Sequence, residues 1–300
     1  MGKIVKLKPF MVEKPWGTHK LASLKEVLTN KLIGESWEVS THPAGSSLVE
    51  DYPLSEICEL SYLVKFIDTG QNLSIQVHPD DDYAKKIENS KGKTECWMIL
   101  NAKKDAGIYL GFKPHVTRKE FFNALTHNLS IENFLNFIPV KKGDFFYLPP
   151  GSIHAIGGGV TLCEIQQSSD ITYRVWDWNR QSETGEKRKL HIDQAKEVLN
   201  FNQEFNQGLI HKQTKKNIFH EANYLEIAKH SDFNVQLFST SKEKTFEIRL
   251  KAKESIIVLE GSLKMSFHLN PYESAIVLED GLFEFTTSGQ CSFIIVSEGT

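Results

Sequence analysis

None of the four cysteines, Cys58, Cys96, Cys163 and Cys291, stands in a C-x-x-C pair. That excludes a cysteine-rich zinc site and a thioredoxin-like redox motif. The expectation is four buried thiols in a reducing compartment. No apolar run is long enough to cross a membrane. The opening MGKIVKLKPFMVEKPWG also lacks the apolar stretch of a secretory signal. Gly2 does not make a myristoylation site, because Lys6 stands where that motif has Ser or Thr. Basic runs and helix-turn-helix patterns are missing too, and the net charge is −3, so nucleic acid is not an expected partner. A soluble, cytoplasmic protein follows, with no membrane partner. Any anionic ligand must be held by a few placed cations rather than by the field of the whole molecule.

What is present favours sheet. The 300 residues are 40% hydrophobic, enough for a substantial core without disulfides. Nineteen Phe, eight Tyr and five Trp suit a pleated surface. Residues 62–67 and 73–78 are β-rich runs around Thr69-Gly-Gln-Asn72, which predicts a hairpin. Further strands are predicted over 95–100, 106–111, 144–149 and 160–166. Short Gly/Pro turns between strands point to a barrel or sandwich rather than βαβ units. A capping box at Thr117–Glu120 and Ser130 ahead of a second apolar stretch predict a small helical insertion around 116–137. Helices are also predicted near 80–89 and 191–201. The chain turns polar over 202–218, which places a domain boundary at 212. Residues 213–300 then read as a second all-β unit.

The most informative stretch is Gly143-Asp-Phe-Phe-Tyr-Leu-Pro149-Pro-Gly151-Ser-Ile-His154. It spells G-x5-P-x-G-x2-H: a strand, a tight Pro/Gly turn, and a histidine opening the next strand. This resembles the second metal motif of the cupin superfamily, although Gly158 stands where that motif often has Asn. The first motif of that superfamily, G-x5-H-x-H then Glu, is matched by Gly70, Gln76, His78 and, after a longer gap, Glu95. Ser74, Gln76 and His78 share one strand face, with Ile75 and Val77 on the other. A polar face inside a barrel is costly unless it binds something. Gln76, His78, Glu95 and His154 thus form a candidate metal set of N and O donors. Such a set suits zinc, and it also admits Fe(II), Mn or Co. The architecture expected is mainly β: two cupin-like (jelly-roll) β-barrels, a catalytic one over 1–212 with the helical insertion and one without a metal site over 213–300.

Five ordered segments make the likeness more specific: GESWEVSTHPAG (34–45), LVKFIDTGQNLSIQVHPDDDYA (63–84), GKTECWMIL (92–100), GSIHAIGGG (151–159) and EIQQSSDITYRVWDW (164–178). Together they resemble the type I mannose-6-phosphate isomerases in their short bacterial form. The likeness runs from about Lys14 to Val198. It implies a zinc-dependent aldose–ketose isomerase acting on a sugar phosphate, with one Zn2+ per chain. By position, His78, Glu95 and His154 resemble the family's zinc ligands, and Gln76 a ligand in many members. Arg174 resembles its catalytic arginine. Lys93 and Ser74 resemble residues lining the sugar-phosphate pocket, with Lys93 open to two roles, base or phosphate binder. An Fe(II) oxygenase and a non-catalytic sugar-phosphate-binding cupin are the competing readings; only the oxygenase needs O2, and only the binding protein lacks turnover. Asp80–Asp82 reads as a helix N-terminus, Trp16 and Trp37 as packing residues, and Gly157–Gly159 as a turn. His268 lacks any metal motif around it.

Overall fold

Strand Glu95–Ala102 shows how alternation builds the molecule. In the computed structural model, which describes residues 2–181, 184–211, 214–215, 218–220 and 224–299, its side chains divide between two cores. Cys96, Met98 and Leu100 join Val64, Phe66 and Ile165 in one cluster. Trp97 and Ile99 join Ile67, Leu162 and Ile108 in another. Successive side chains point to opposite faces of a strand. A strand apolar on both faces must therefore lie in a middle layer.

That layer is a seven-stranded antiparallel sheet. In spatial order it runs Thr214–Lys215, Phe145–Leu148, Glu95–Ala102, Val160–Gln167, Tyr62–Asp68, Ile33–Val39 and Phe10–Thr18. One face packs on a five-stranded sheet of Leu135–Pro139, Gly107–Phe112, His154–Ile156, Ile75–Val77 and Tyr173–Trp176. Short helices cover the far side of that second sheet. Helix Arg118–Thr126 contributes Phe121 and Ala124, and helix Ile192–Val198 contributes Ala195. The Thr117–Glu120 capping box is formed. Helix Asp81–Glu88 is capped by Asp80, whose side chain accepts the Tyr83 N–H at 2.8 Å.

The other face of the middle sheet packs on the C-terminal unit through Val235, Ile257, Ile294 and Val296. Those residues belong to an eight-stranded sheet, which closes over a four-stranded one around Val258, Val277, Phe285 and Phe293. The protein is thus mainly β. No described helix is long and apolar enough to cross a membrane. Cys96, Cys163 and Cys291 are buried, Cys58 is partly so, and all four are free.

Two features depart from the sequence reading. Residues 62–67 and 73–78 do not form a hairpin. Tyr62–Asp68 pairs within the seven-stranded sheet, and Ile75–Val77 pairs within the five-stranded one. The intervening turn is anchored elsewhere: Gly70 N–H donates to Trp16 O at 2.7 Å, and Leu73 N–H to Ile156 O at 2.8 Å. Those bonds carry the chain across to the facing sheet instead of back on itself. The second feature is strand Lys3–Lys8, which pairs with Ser274–Glu279 of the C-terminal unit. The boundary placed at 212 lies outside the described residues.

Candidate functional site

The polar face predicted for residues 74–78 is real, and it points between the two facing sheets. Ile75 and Val77 are fully buried on the outer side, against Phe121 and Val175. Gln76 sits opposite His154 on one neighbouring strand and opposite Arg174 on the other. The Pro/Gly turn delivers His154. Gly151 has φ +81°, a left-handed conformation that favours glycine. Its N–H donates to His78 O at 3.0 Å, which ties the turn to the strand carrying the other histidine. Glu95 arrives from the opposite sheet, at the first position of its strand.

His78, Glu95 and His154 converge, all buried, with one donor atom of each lying within 4.8 Å of the others. His78 Nε2 is 3.5 Å from Glu95 Oε2, and His154 Nε2 is 3.3 Å from Glu95 Oε1. The far ring nitrogens are engaged by backbone carbonyls. His78 Nδ1 donates to Ile171 O at 2.7 Å, and His154 Nδ1 to Ser152 O at 3.0 Å. Both protons are thereby fixed on Nδ1, and both Nε2 lone pairs face Glu95. Gln76 Nε2 lies 3.2 Å from His154 Nε2. Turning that amide over presents its oxygen at the same point. Ser74 Oγ is 3.4 Å from Gln76 Oε1.

The electrostatics match a cation site. Burial pushes His78 well below the ordinary imidazole range, with Lys93 and His154 adding to the effect. Burial also takes His154 down to about 4. Both imidazoles are therefore neutral at pH 7 and keep their lone pairs. Burial, then the Glu164 carboxylate, lifts Glu95 to about 7, although Lys93 pulls the other way. Lys93 Nζ stands 3.0 Å from Glu95 Oε2 and 3.2 Å from His78 Nε2, so its ammonium supplies the positive charge these groups face. Neither Glu95 oxygen has a hydrogen bond of good geometry. Buried carboxylate oxygens that lack a well-formed hydrogen bond, beside two neutral imidazole lone pairs, fit a divalent ion with N/O preference.

Above this cluster lies a cleft of about 300 Å³, with Ser74, Gln76, Lys93 and Arg174 on its walls. Arg174 Nη1 donates to Lys189 O at 2.8 Å, while its Nε is buried without a hydrogen-bond partner among the described residues. Arg188 also lines the cleft, with its Nε bonded to Asp177 Oδ2 at 2.8 Å. Trp16 and Trp37, expected as packing residues, are both buried and also form cleft wall. His268 is exposed in a two-residue strand of the C-terminal unit.

Sequence reasoning missed a row of side chains on the inner face of the middle sheet. Across four adjacent strands, Trp37, Lys65, Glu164 and Trp97 stand in register. Lys65 Nζ is 3.0 Å from Glu164 Oε1 and 3.6 Å from Glu35 Oε2. Trp97 Nε1 donates to Glu164 and Trp37 Nε1 to Glu35, each at 2.8 Å. Burial alone would raise Glu35, but Lys65 and Lys14 overturn that and hold it down at about 2. The signal was a charge in mid-strand, Lys65 within YLVKFID and Glu164 within VTLCEIQQ.

No family model matches the chain. It is 42% identical to the probable mannose-6-phosphate isomerase GmuF of Bacillus subtilis (strain 168) over 213 residues, 64% of this chain and 67% of that protein. It is 31% identical to the mannose-6-phosphate isomerase ManA of the same organism over an alignment of 313 positions that covers 96% of both chains. A crystal structure of the mannose 6-phosphate isomerase from Bacillus subtilis superposes with a TM-score of 0.82 at 27% identity, covering 99% of this chain and all of that one.

Proposed function

Because the chain belongs to the type I mannose-6-phosphate isomerase family, we propose that it interconverts mannose 6-phosphate and fructose 6-phosphate with one zinc ion per chain. Gln76, His78, Glu95 and His154 would hold the ion, and the convergence of the last three is the observation that carries this reading. When bound, the ion supplies Lewis-acid polarisation of the sugar's carbonyl and adjacent hydroxyl without redox chemistry.

The remaining work falls to this chain's own side chains. Aldose–ketose isomerisation takes a proton from C2 of the aldose and returns one to C1, through an enediolate. Arg174 stands across from Gln76, so its guanidinium can face the negative oxygen of that intermediate. Lys93 lies deep, against Glu95 and His78. That depth favours a role at the reacting carbons, because the phosphate sits at the opposite end of the six-carbon chain. Ser74 and Arg188, both on the cleft wall, would bind the rest of the sugar phosphate. Trp16 and Trp37 keep bulk water off one wall.

A coupled assay with mannose 6-phosphate on metal-defined protein tests this reading. Chelation should abolish turnover and zinc should restore it, with the same rate under nitrogen as in air. Oxygen-dependent turnover, or none with any aldose phosphate, would overturn it. Arg174→Ala should keep its zinc and its melting temperature while kcat falls about 10²- to 10³-fold, the usual loss for a removed oxyanion partner. Normal kcat in that variant would take Arg174 out of the mechanism.

A further inference from the structure

Glu95 and Lys93 flank Thr94, and the Thr94 peptide is gripped on both sides by one buried residue. Gln167 N–H donates to Thr94 O at 3.1 Å, and Gln167 Oε1 accepts Thr94 N–H at 2.8 Å. A glutamine amide can make that second bond only with its oxygen toward Thr94. Its NH2 is kept on the far side by two carboxylates, Asp81 Oδ1 at 3.0 Å and Asp232 Oδ2 at 2.6 Å. Asp81 belongs to the neighbouring helix. Asp232 belongs to the C-terminal unit, in the turn between strands Leu225–Lys229 and Asn234–Thr240.

Asp232 also holds the same segment at a second point. Its Oδ1 pairs with Lys91 Nζ at 2.6 Å. The Lys91 carbonyl accepts Ser169 Oγ at 3.1 Å, and Ser169 Oγ accepts Ile171 N–H at 3.4 Å. The carbonyl of Ile171 is the group that fixes the His78 ring. The turn itself is braced: Asp232 O accepts Ser61 Oγ at 2.6 Å, and Asp232 N–H donates to His230 Nδ1 at 3.1 Å. Two short chains of hydrogen bonds therefore run from one carboxylate of the C-terminal unit, one toward Glu95 and Lys93 and the other toward His78.

We propose that Asp232 is a positioning residue for the metal site, acting through Gln167 and Lys91, and that this is one function of the C-terminal unit. The inference rests on the reading of His78, Glu95 and His154 as ligands. Without the Asp232 acceptor, the Gln167 amide loses its strongest reason to keep oxygen toward Thr94. The 91–95 segment then samples other positions, and ligand geometry loosens. Groups that orient metal ligands are typically worth 10- to 100-fold in affinity or activity. At one bond further out, the lower end of that range applies.

Asp232→Ala tests this in the full chain. Zinc affinity is measured by chelator competition without substrate, kcat and KM at saturating zinc, and stability by melting temperature. The expected result is zinc binding about 10-fold weaker and a lower kcat with KM little changed. Asp232→Asn, which keeps an acceptor for Gln167, should recover most of the affinity. A lower melting temperature with zinc affinity and kcat within twofold of the parent would show a merely structural contact and overturn the proposal. If Asp232→Ala does not fold, Lys91→Met removes the half-exposed partner of the second grip; a threefold loss of zinc affinity supports the proposal, and no loss overturns it. Failure of the unsubstituted protein to bind zinc would instead overturn the ligand assignment itself, so the two failures are distinguishable.

Discussion

Glu95→Gln should leave a folded protein that neither retains zinc nor turns over mannose 6-phosphate. Glu95 is the one carboxylate of the converging group, and each of its oxygens faces a different imidazole. Glutamine keeps the side chain's volume, so the packing around Trp97 and Leu148 is not reshaped. It removes the negative charge that offsets a divalent cation in a buried setting. Breaking a buried charge pair from one side costs about 3–5 kcal/mol, which corresponds to roughly 10²- to 10⁴-fold in affinity. The same substitution strips Lys93 of the carboxylate 3.0 Å from its Nζ. Two functions therefore fail together. Zinc content after dialysis and the coupled assay are the measurements. A variant with the parent's zinc and kcat would remove Glu95 from the site.

The site's centre was legible because its geometry is written in local spacing. The i, i+2 alternation over residues 74–78 puts Ser74, Gln76 and His78 on one face whatever the rest of the chain does. Pro149, Gly151 and His154 spell a turn whose left-handed glycine the structure contains. Lys93 and Glu95 are two residues apart and do meet. Register is a different kind of information. Lys65 and Glu164 are almost a hundred positions apart, and nothing near either one says that they are directly opposed. The same holds for strand Lys3–Lys8, whose partner lies near the other end of the chain. The hairpin expected at 62–78 failed for a related reason. Local turn chemistry described a reversal correctly but could not say that Trp16 and Ile156 would take its backbone bonds. Asp232 was invisible for want of any motif; its importance comes only from the groups folded against it.

The buried charges on the inner wall carry the second large effect. Lys65→Met should lower stability by about 3 kcal/mol at pH 7 while preserving the fold. Methionine replaces the aliphatic stem and fills the space, so the loss is electrostatic. Lys65, Glu164 and Glu35 are all nearly inaccessible, and without the ammonium two carboxylates face each other across the wall. Lys14, 3.1 Å from Glu35, and Lys93, 4.0 Å from Glu164, offset part of that, which keeps the figure at the low end for a broken buried pair. The sign of the pH dependence follows from Glu35. Its folded value of about 2 lies below its ordinary 4.5, so its contribution is complete above pH 4.5 and is lost as pH falls toward 2. Burial works against the charge on Lys65, but Glu164 and Glu35 outweigh it and raise its pKa, so Lys65 stays charged throughout that window. The deficit of Lys65→Met should therefore be greatest near neutrality and shrink in acid, where the parent loses the same stabilisation. A second change, Glu164→Gln, should recover part of the loss, because it removes one of the carboxylates left without a partner. Urea midpoints at pH 7 and pH 4 on the two variants and the parent decide the matter. A deficit that grows in acid, or none at pH 7, would mean that the wall of charge does not stabilise the fold.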